Sequence, residues 1–68
     1  MMIEIRVNGD VRTIALGSTV ANLLADLQMN PRFLAVELNR RVIPRAEHGQ
    51  TRLTADDEIE IVTLVGGG

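Results

Sequence analysis

Two segments near opposite ends of the sequence share one pattern, in which apolar and polar residues alternate. Residues 2–7 carry Ile or Val at every second position from Ile3, and residues 58–65 place Ile59 and Ile61 on one face. A period of two residues with β-branched side chains on the buried face is typical of β-strands. Because both segments are long and rich in Ile and Val, we expect the two strands to lie side by side in the centre of one sheet.

Only one stretch between these segments has the clear period of an amphipathic helix. Its apolar face recurs at i, i+3, i+4 and i+7 and consists of Val20, Leu23, Leu24 and Leu27. Thr19 is predicted to cap the helix N-terminus, because its hydroxyl can accept from the first free amides. Asn22 stands where a capping box prefers Glu or Gln, so we expect an incomplete box. The pair Asn30-Pro31 is predicted to stop the helix, since proline disfavours helical geometry in the residue before it.

The rest of the sequence is predicted to form strands and turns. In chain order they are a tight hairpin at 8–10, an edge strand at 11–16, a strand at 34–38, a turn at 39–40, a short strand at 41–43, an irregular segment at 45–52 with a helical turn at 46–48, and a turn at 54–57. One helix can cover only one face of such a sheet. The sequence therefore predicts an α+β fold with a β-grasp layout, in which a mixed sheet has one helix packed on one face. We assign residues 1–65 to this domain and residues 66–68 to a separate tail.

The composition excludes several classes of function. The 68 residues include no cysteine and one histidine, His48, so disulfides, Cys-ligated metals and a thiol nucleophile are excluded, and no metal site is expected. We interpret His48 as structural or exposed, since it has no partner for acid–base work. A net charge of −2 argues against nucleic-acid binding. No apolar run approaches the ~20 residues that span a bilayer and no leader opens the chain, so we expect a cytoplasmic protein that does not enter membranes.

Three glycines follow the last predicted strand, at Gly66, Gly67 and Gly68. Glycine has no side chain to pack and adds backbone freedom, so we expect a mobile arm that projects beyond the sheet. The arm would carry an α-carboxylate, which is ionised at neutral pH and could be threaded into a narrow channel of a partner. The alternative interpretation is a frayed chain end with no function.

A free carboxylate at Gly68 is a poor acyl donor and would need activation. Attack of its oxygen on the α-phosphate of ATP would give an acyl-adenylate, a step that needs cationic groups or Mg²⁺ around the phosphates. The sequence contains no phosphate-cradling loop. We therefore expect the chain to bind no cofactor of its own, and ATP and Mg²⁺ to be supplied by a partner enzyme.

An apolar patch is predicted next to the tail, formed by Val62, Leu64 and Val65 on or near the sheet face away from the helix. We interpret it as a docking surface for the activating enzyme. Ordinary packing or pairing with the fourth strand is the alternative. Arg45, which follows Pro44, could contact an acidic patch of a partner or could be a solvated surface residue.

Five segments of the sequence together resemble a known family. They are residues 7–9 (VNG), 19–24 (TVANLL), 35–39 (AVELN), 42–45 (VIPR) and 57–68 (DEIEIVTLVGGG). In this order and spacing they are similar to the sulfur carriers of the ThiS/MoaD group, in the ubiquitin-like β-grasp family, and above all to its thiamine branch. The resemblance covers all 68 residues. The turn before the last strand departs from the family, with Asp56-Asp57 where Gly-Asp is frequent.

The resemblance implies a carrier cycle in which this chain is not an enzyme. Gly68 would be adenylated by a ThiF-type enzyme with ATP, and sulfur drawn from cysteine through a persulfide would then replace the adenylate to leave a thiocarboxylate. The thiazole synthase ThiG would use that sulfur to build the thiazole ring of thiamine. The implied partners are therefore the ThiF-type enzyme, a sulfur donor enzyme and ThiG. The absence of cysteine fits, because no side chain here can hold sulfur as a persulfide.

Three alternatives remain open from the sequence. A MoaD-like small subunit of molybdopterin synthase would share the tail but use another sulfur acceptor, although the short length and residues 42–45 favour the thiamine branch. A ubiquitin-like protein modifier would pass the Gly68 carbonyl to a lysine amine. A plain interaction module would have an inert tail.

Overall fold

Residues 1–64 are described by the computed structural model, and their strands and helices follow the predicted order. The elements are β1 (Met2–Val7), β2 (Asp10–Ala15), α1 (Val20–Asp26), β3 (Leu34–Leu38), β4 (Arg41–Val42) and β5 (Glu58–Thr63), with short 3₁₀ helices at Pro31–Phe33 and Arg45–Glu47. In this part of the chain the strands form one sheet in the order β2-β1-β5-β3-β4. β1 and β5 are parallel, and the other neighbouring strands are antiparallel. The predicted mixed sheet with the first and last strands side by side is confirmed.

The strand bounds differ slightly from the prediction. β2 spans Asp10–Ala15 instead of 11–16, and β4 ends at Val42 instead of 43, shortly before Pro44, which has no N–H to donate to a ladder. β5 ends at Thr63, whereas the prediction extended to 65. Residues 65–68 lie outside the described residues, so the boundary between domain and tail stays a prediction.

The core lies between α1 and one face of the sheet. Its buried residues are Ile5, Ile14, Val20, Leu23, Leu24, Val36, Leu53, Ile59 and Ile61. Burying one such side chain stabilises the fold by about 1.5–3 kcal/mol before conformational entropy is subtracted. β2 contributes only Ile14, in keeping with its place at the edge of the sheet. The central strands therefore supply most of the surface on which the helix packs.

The N-terminus of α1 has a complete capping box, so the prediction of an incomplete one was wrong. The Thr19 hydroxyl accepts from the Asn22 N–H at 3.2 Å, and Asn22 Oδ1 accepts from the Thr19 N–H at 2.9 Å. Asparagine can do this because its side-chain oxygen is an acceptor like that of Gln, on a stem one carbon shorter. The shorter stem still reaches the N-cap amide.

The loop before β5 satisfies two further free N–H groups at the helix start. Val20 N–H donates to Thr51 O at 2.9 Å, and Ala21 N–H donates to His48 O at 3.0 Å. His48 is only 4% exposed, and its ring Nε2 donates to Ile43 O at 3.1 Å. His48 is thus a structural residue that joins the loop to the helix and to the end of β4. None of the helices in residues 1–64 is long and apolar enough to cross a membrane.

α1 ends before the predicted stop at Pro31, and this prediction was also wrong. Gln28 adopts a left-handed conformation with φ 58°. Its N–H donates to Ala25 O at 3.0 Å, and the Met29 N–H donates to Leu24 O at 2.9 Å, which are the two hydrogen bonds of a Schellman motif. The Met29 side chain packs against the core. The helix ends early because this reversal satisfies its last carbonyls and buries an apolar side chain.

Replacing Gln28 by Gly is expected to stabilise the fold. A residue with a Cβ is strained in the left-handed region, whereas glycine adopts it freely but gives the unfolded chain more entropy. We expect Gln28→Gly to raise the free energy of unfolding by about 0.5–1 kcal/mol, measured by urea denaturation. Gln28→Ala is the control and is expected to bring no gain, because it keeps the Cβ. Equal effects of the two substitutions would contradict the strain argument.

Candidate functional site

The segment that leads to the glycine tail is held in the middle of the sheet. β5 lies between β1 and β3 and pairs with both. On the β3 side, Thr63 pairs with Leu34, and the Leu64 N–H donates to Phe33 O at 2.8 Å. The chain is therefore fixed to the sheet as far as Leu64. The predicted tail, Gly66, Gly67 and Gly68, lies beyond the residues that the structure describes.

The start of β5 is held by Asn39, in the turn between β3 and β4. Its main-chain N–H donates to Glu58 O at 2.8 Å, and its Oδ1 accepts from the Glu58 N–H at 3.0 Å. Its Nδ2 donates to Asp57 Oδ1 at 3.0 Å. Asp57 also accepts from the Thr54 N–H at 2.8 Å, so the turn before β5 is tied to the turn after β3. This network fixes the point at which the last strand begins.

The middle of β5 is held by Asn8, in the turn between β1 and β2. Its main-chain N–H donates to Ile59 O at 2.8 Å. Its side-chain Oδ1 accepts from the Ile61 N–H at 2.7 Å, and its Nδ2 donates to Ile61 O at 3.2 Å. Sequence reasoning identified Asn8 and Asn39 only as turn residues, and both do have positive φ, 51° and 50°. Their bonds to β5 were missed, because a partner so distant in the chain leaves no local signal.

Two of the predicted docking residues, Val62 and Leu64, are 53% and 54% exposed. Val62 lies on the sheet face away from α1, since its neighbour Ile61 points into the core and side chains alternate along a strand. Ala35 of β3 lies opposite Val62. We name Ala35, Val62 and Leu64 the exit patch, because they lie at the end of β5 that adjoins the start of the predicted tail in the sequence. Val65, the third predicted docking residue, lies outside the described part of the chain.

Arg45, the fourth predicted docking residue, is exposed at the start of the 3₁₀ helix that follows β4. β3 separates β4 from β5 in the sheet. The structure therefore brings Val62 and Leu64 together at one strand end and places Arg45 on a different element. A role of Arg45 in partner contact stays a prediction.

Acidic residues lie next to the exit patch on the same sheet face. Glu60 of β5 is directly opposite Glu37 of β3, and Glu58 is opposite Arg6 of β1. Like charges placed opposite each other on neighbouring strands destabilise a sheet slightly. Across residues 1–64, no three His, Asp or Glu side chains are grouped so that they could hold a metal ion. The exit patch thus has an acidic margin with no metal-binding group.

These features define a class of protein: a small β-grasp domain whose central strand runs directly into a glycine-rich segment. The family model of ThiS matches residues 5–68. The chain belongs to the ThiS family.

Individual proteins agree with this assignment. The sulfur carrier protein ThiS of Bacillus subtilis is 35% identical over 65 residues, which is 94% of this chain and 98% of that protein. The crystal structure of the thiamine biosynthesis protein ThiS from Geobacter metallireducens matches with a TM-score of 0.85 at 30% identity, over 97% of this chain and 100% of that chain. A thiazole synthase of Magnetococcus marinus is 38% identical over 65 residues, 96% of this chain. This chain spans only about a fifth of that protein's length, 20%.

Neutralising one member of the acidic pair is expected to stabilise the sheet. Glu60→Gln removes the repulsion from Glu37, so the free energy of unfolding should rise by about 0.2–1 kcal/mol in urea denaturation at low salt. Glu58→Gln is the matched control, because Glu58 lies opposite Arg6 and not opposite a second carboxylate, so that the substitution should not stabilise. A gain that is the same for both substitutions, or that persists at high salt, would contradict the repulsion.

Proposed function

We propose that the protein is the sulfur carrier of thiamine biosynthesis, and that the carboxylate of Gly68 carries the sulfur. The proposal rests on the central strand β5 in a chain of the ThiS family. The chain is hydrogen-bonded to the sheet through this strand and Leu64, and the sequence continues at once with Val65-Gly66-Gly67-Gly68. A rigid domain followed by a segment without side chains suits a carrier that inserts its end into other proteins.

The chemistry proposed for Gly68 has three steps. Its carboxylate oxygen attacks the α-phosphate of ATP, pyrophosphate leaves, and an acyl-adenylate forms. A persulfide sulfur then attacks the acyl carbon and AMP leaves. A thiol cleaves the resulting acyl disulfide, which frees the thiocarboxylate and leaves a disulfide on the donor. ATP and Mg²⁺ are bound by the partner, since the phosphates need cationic neighbours.

The partners proposed are a ThiF-type adenylating enzyme, a sulfur donor enzyme and the thiazole synthase ThiG. The likeness to one segment of a thiazole synthase supports the last of these, because it links a domain of this kind with that activity. The same likeness, together with the ThiS proteins of Bacillus and Geobacter, favours the thiamine branch over a molybdopterin synthase subunit. We place the reaction in the cytoplasm, where ATP is available.

The mass of the intact protein tests the carrier proposal. After incubation with a ThiF-type enzyme, ATP, Mg²⁺ and sodium sulfide, the mass should rise by the difference between sulfur and oxygen. Hydrosulfide replaces AMP directly in this assay, so no persulfide donor is needed. A variant that lacks Gly67 and Gly68 is the control and should gain nothing. An unchanged mass of the full chain would contradict the proposal, and isopeptide-linked conjugates would indicate a protein modifier.

Docking of the adenylating enzyme on the exit patch can be tested at Val62. Val62→Asp should raise the apparent KM of the carrier for the adenylating enzyme by more than about tenfold, because an unpaired charge would be buried in the interface. Val11→Asp is the matched control: Val11 is 55% exposed, compared with 53% for Val62, but lies on the edge strand β2. The assay is steady-state release of pyrophosphate. Equal effects of the two substitutions would contradict docking at the exit patch.

A further inference from the structure

We propose that Asn8 is a positioning residue, whose side chain holds the end of β5 in place so that the exit patch is presented to the partner in one fixed register. The inference rests on the carrier function proposed above and adds to it a residue outside the tail and the exit patch.

β1 leaves β5 before β5 ends. Its pairing with β5 reaches only Val7, opposite Ile59, after which the chain turns at Asn8 with φ 51°. A strand in the middle of a sheet needs partners on both sides for its N–H and C=O groups. From Ile61 onward, β5 has a neighbouring strand on the β3 side alone, among the residues described.

The side chain of Asn8 supplies the next pair of ladder bonds. The N–H of Arg6 donates to Asp57 O at 2.9 Å, and that of Asn8 donates to Ile59 O at 2.8 Å. If β1 continued in this register, Ile61 O would accept from the N–H of residue 10, and the Ile61 N–H would donate to the main-chain oxygen of residue 8. Asn8 Nδ2 and Oδ1 take these two roles instead, at 3.2 and 2.7 Å. A side-chain amide thus replaces a peptide unit that the turn has removed.

The position of Ile61 determines which side chains the end of β5 exposes. Ile61 is 7% exposed and faces the core, so the next residue, Val62, faces outward in the exit patch. A slip of one residue would exchange the two faces. Without the Asn8 bonds, the end of β5 would be held by β3 alone, and only a fraction of molecules would present the exit patch and the tail together. The apparent affinity for a partner is then the intrinsic affinity multiplied by that fraction.

Three variants separate this role from general stability. Asn8→Gly keeps the left-handed turn but removes the amide, and Asn8→Asp keeps the shape but cannot donate to Ile61 O. Asn39→Gly is the matched control, because Asn39 has nearly the same φ, 50°, and its side chain holds the opposite end of β5 at Glu58. All measurements are made at a temperature where each variant is fully folded, as verified by its NMR spectrum.

The first measurement is amide hydrogen exchange in the isolated protein. Asn8→Gly should make the Ile61 N–H exchange roughly tenfold faster, since two hydrogen bonds are lost, and Asn8→Asp should have a smaller effect. Asn39→Gly should accelerate exchange at Glu58 and leave Ile61 unchanged. An Ile61 exchange rate in Asn8→Gly equal to that of the unmodified protein would overturn the inference.

The second measurement is pyrophosphate release with a ThiF-type enzyme. Asn8→Gly should raise the apparent KM of the carrier roughly tenfold and leave kcat unchanged, because the fraction of competent molecules falls while the chemistry at Gly68 is the same. Asn39→Gly should leave KM unchanged. Equal KM values for the two variants would overturn the positioning role. Absence of pyrophosphate release from the unmodified chain would instead refute the carrier function, which the exchange measurement does not test.

Discussion

The whole structure depends on hydrogen bonding to both sides of the last strand. β5 is the third of five strands in the sheet, parallel to β1 and antiparallel to β3. A buried N–H or C=O without a partner costs about as much as a lost hydrogen bond, so a central strand must be paired along its length. β1 and β3 are too short to do this alone. The side chains of Asn8 and Asn39 complete the pairing, and each comes from a turn that also needs a residue tolerant of positive φ.

This arrangement gives the two faces of the strand different surroundings. Ile59 and Ile61 face α1 and lie in the core, whereas Val62 is about half exposed on the opposite face. The helix itself is held by the loop before β5, through Thr51 and the buried His48. The residues that build the domain are therefore separate from those that a partner can reach. Such a division suits the carrier function proposed above.

Features that depend on neighbours in sequence could be predicted well. The strands at 2–7 and 34–38, the N-cap at Thr19 and the β-grasp layout with β1 beside β5 all follow from apolar period and turn residues. The two predictions that were wrong concern the ends of the helix. Asn22 closes the capping box with a shorter side chain than the pattern requires, and Gln28 ends the helix because Met29 packs into the core. The first of these features is local, since Thr19 and Asn22 are three residues apart and their hydrogen bonds are exposed, whereas the second depends on the packing of Met29 against the core.

At the candidate site, the features that could be predicted from the sequence are clearly separate from those that could not. The fold class, the outward position of Val62 and the glycines that follow β5 could be predicted from the sequence, because these depend on side-chain period and on residue type. The folded structure was needed to show that Asn8 and Asn39 hold β5, that His48 is buried and that Arg45 lies on a different element from the exit patch. These features depend on contacts between residues far apart in the chain. Such contacts exist only after the sheet has brought its first and last strands together.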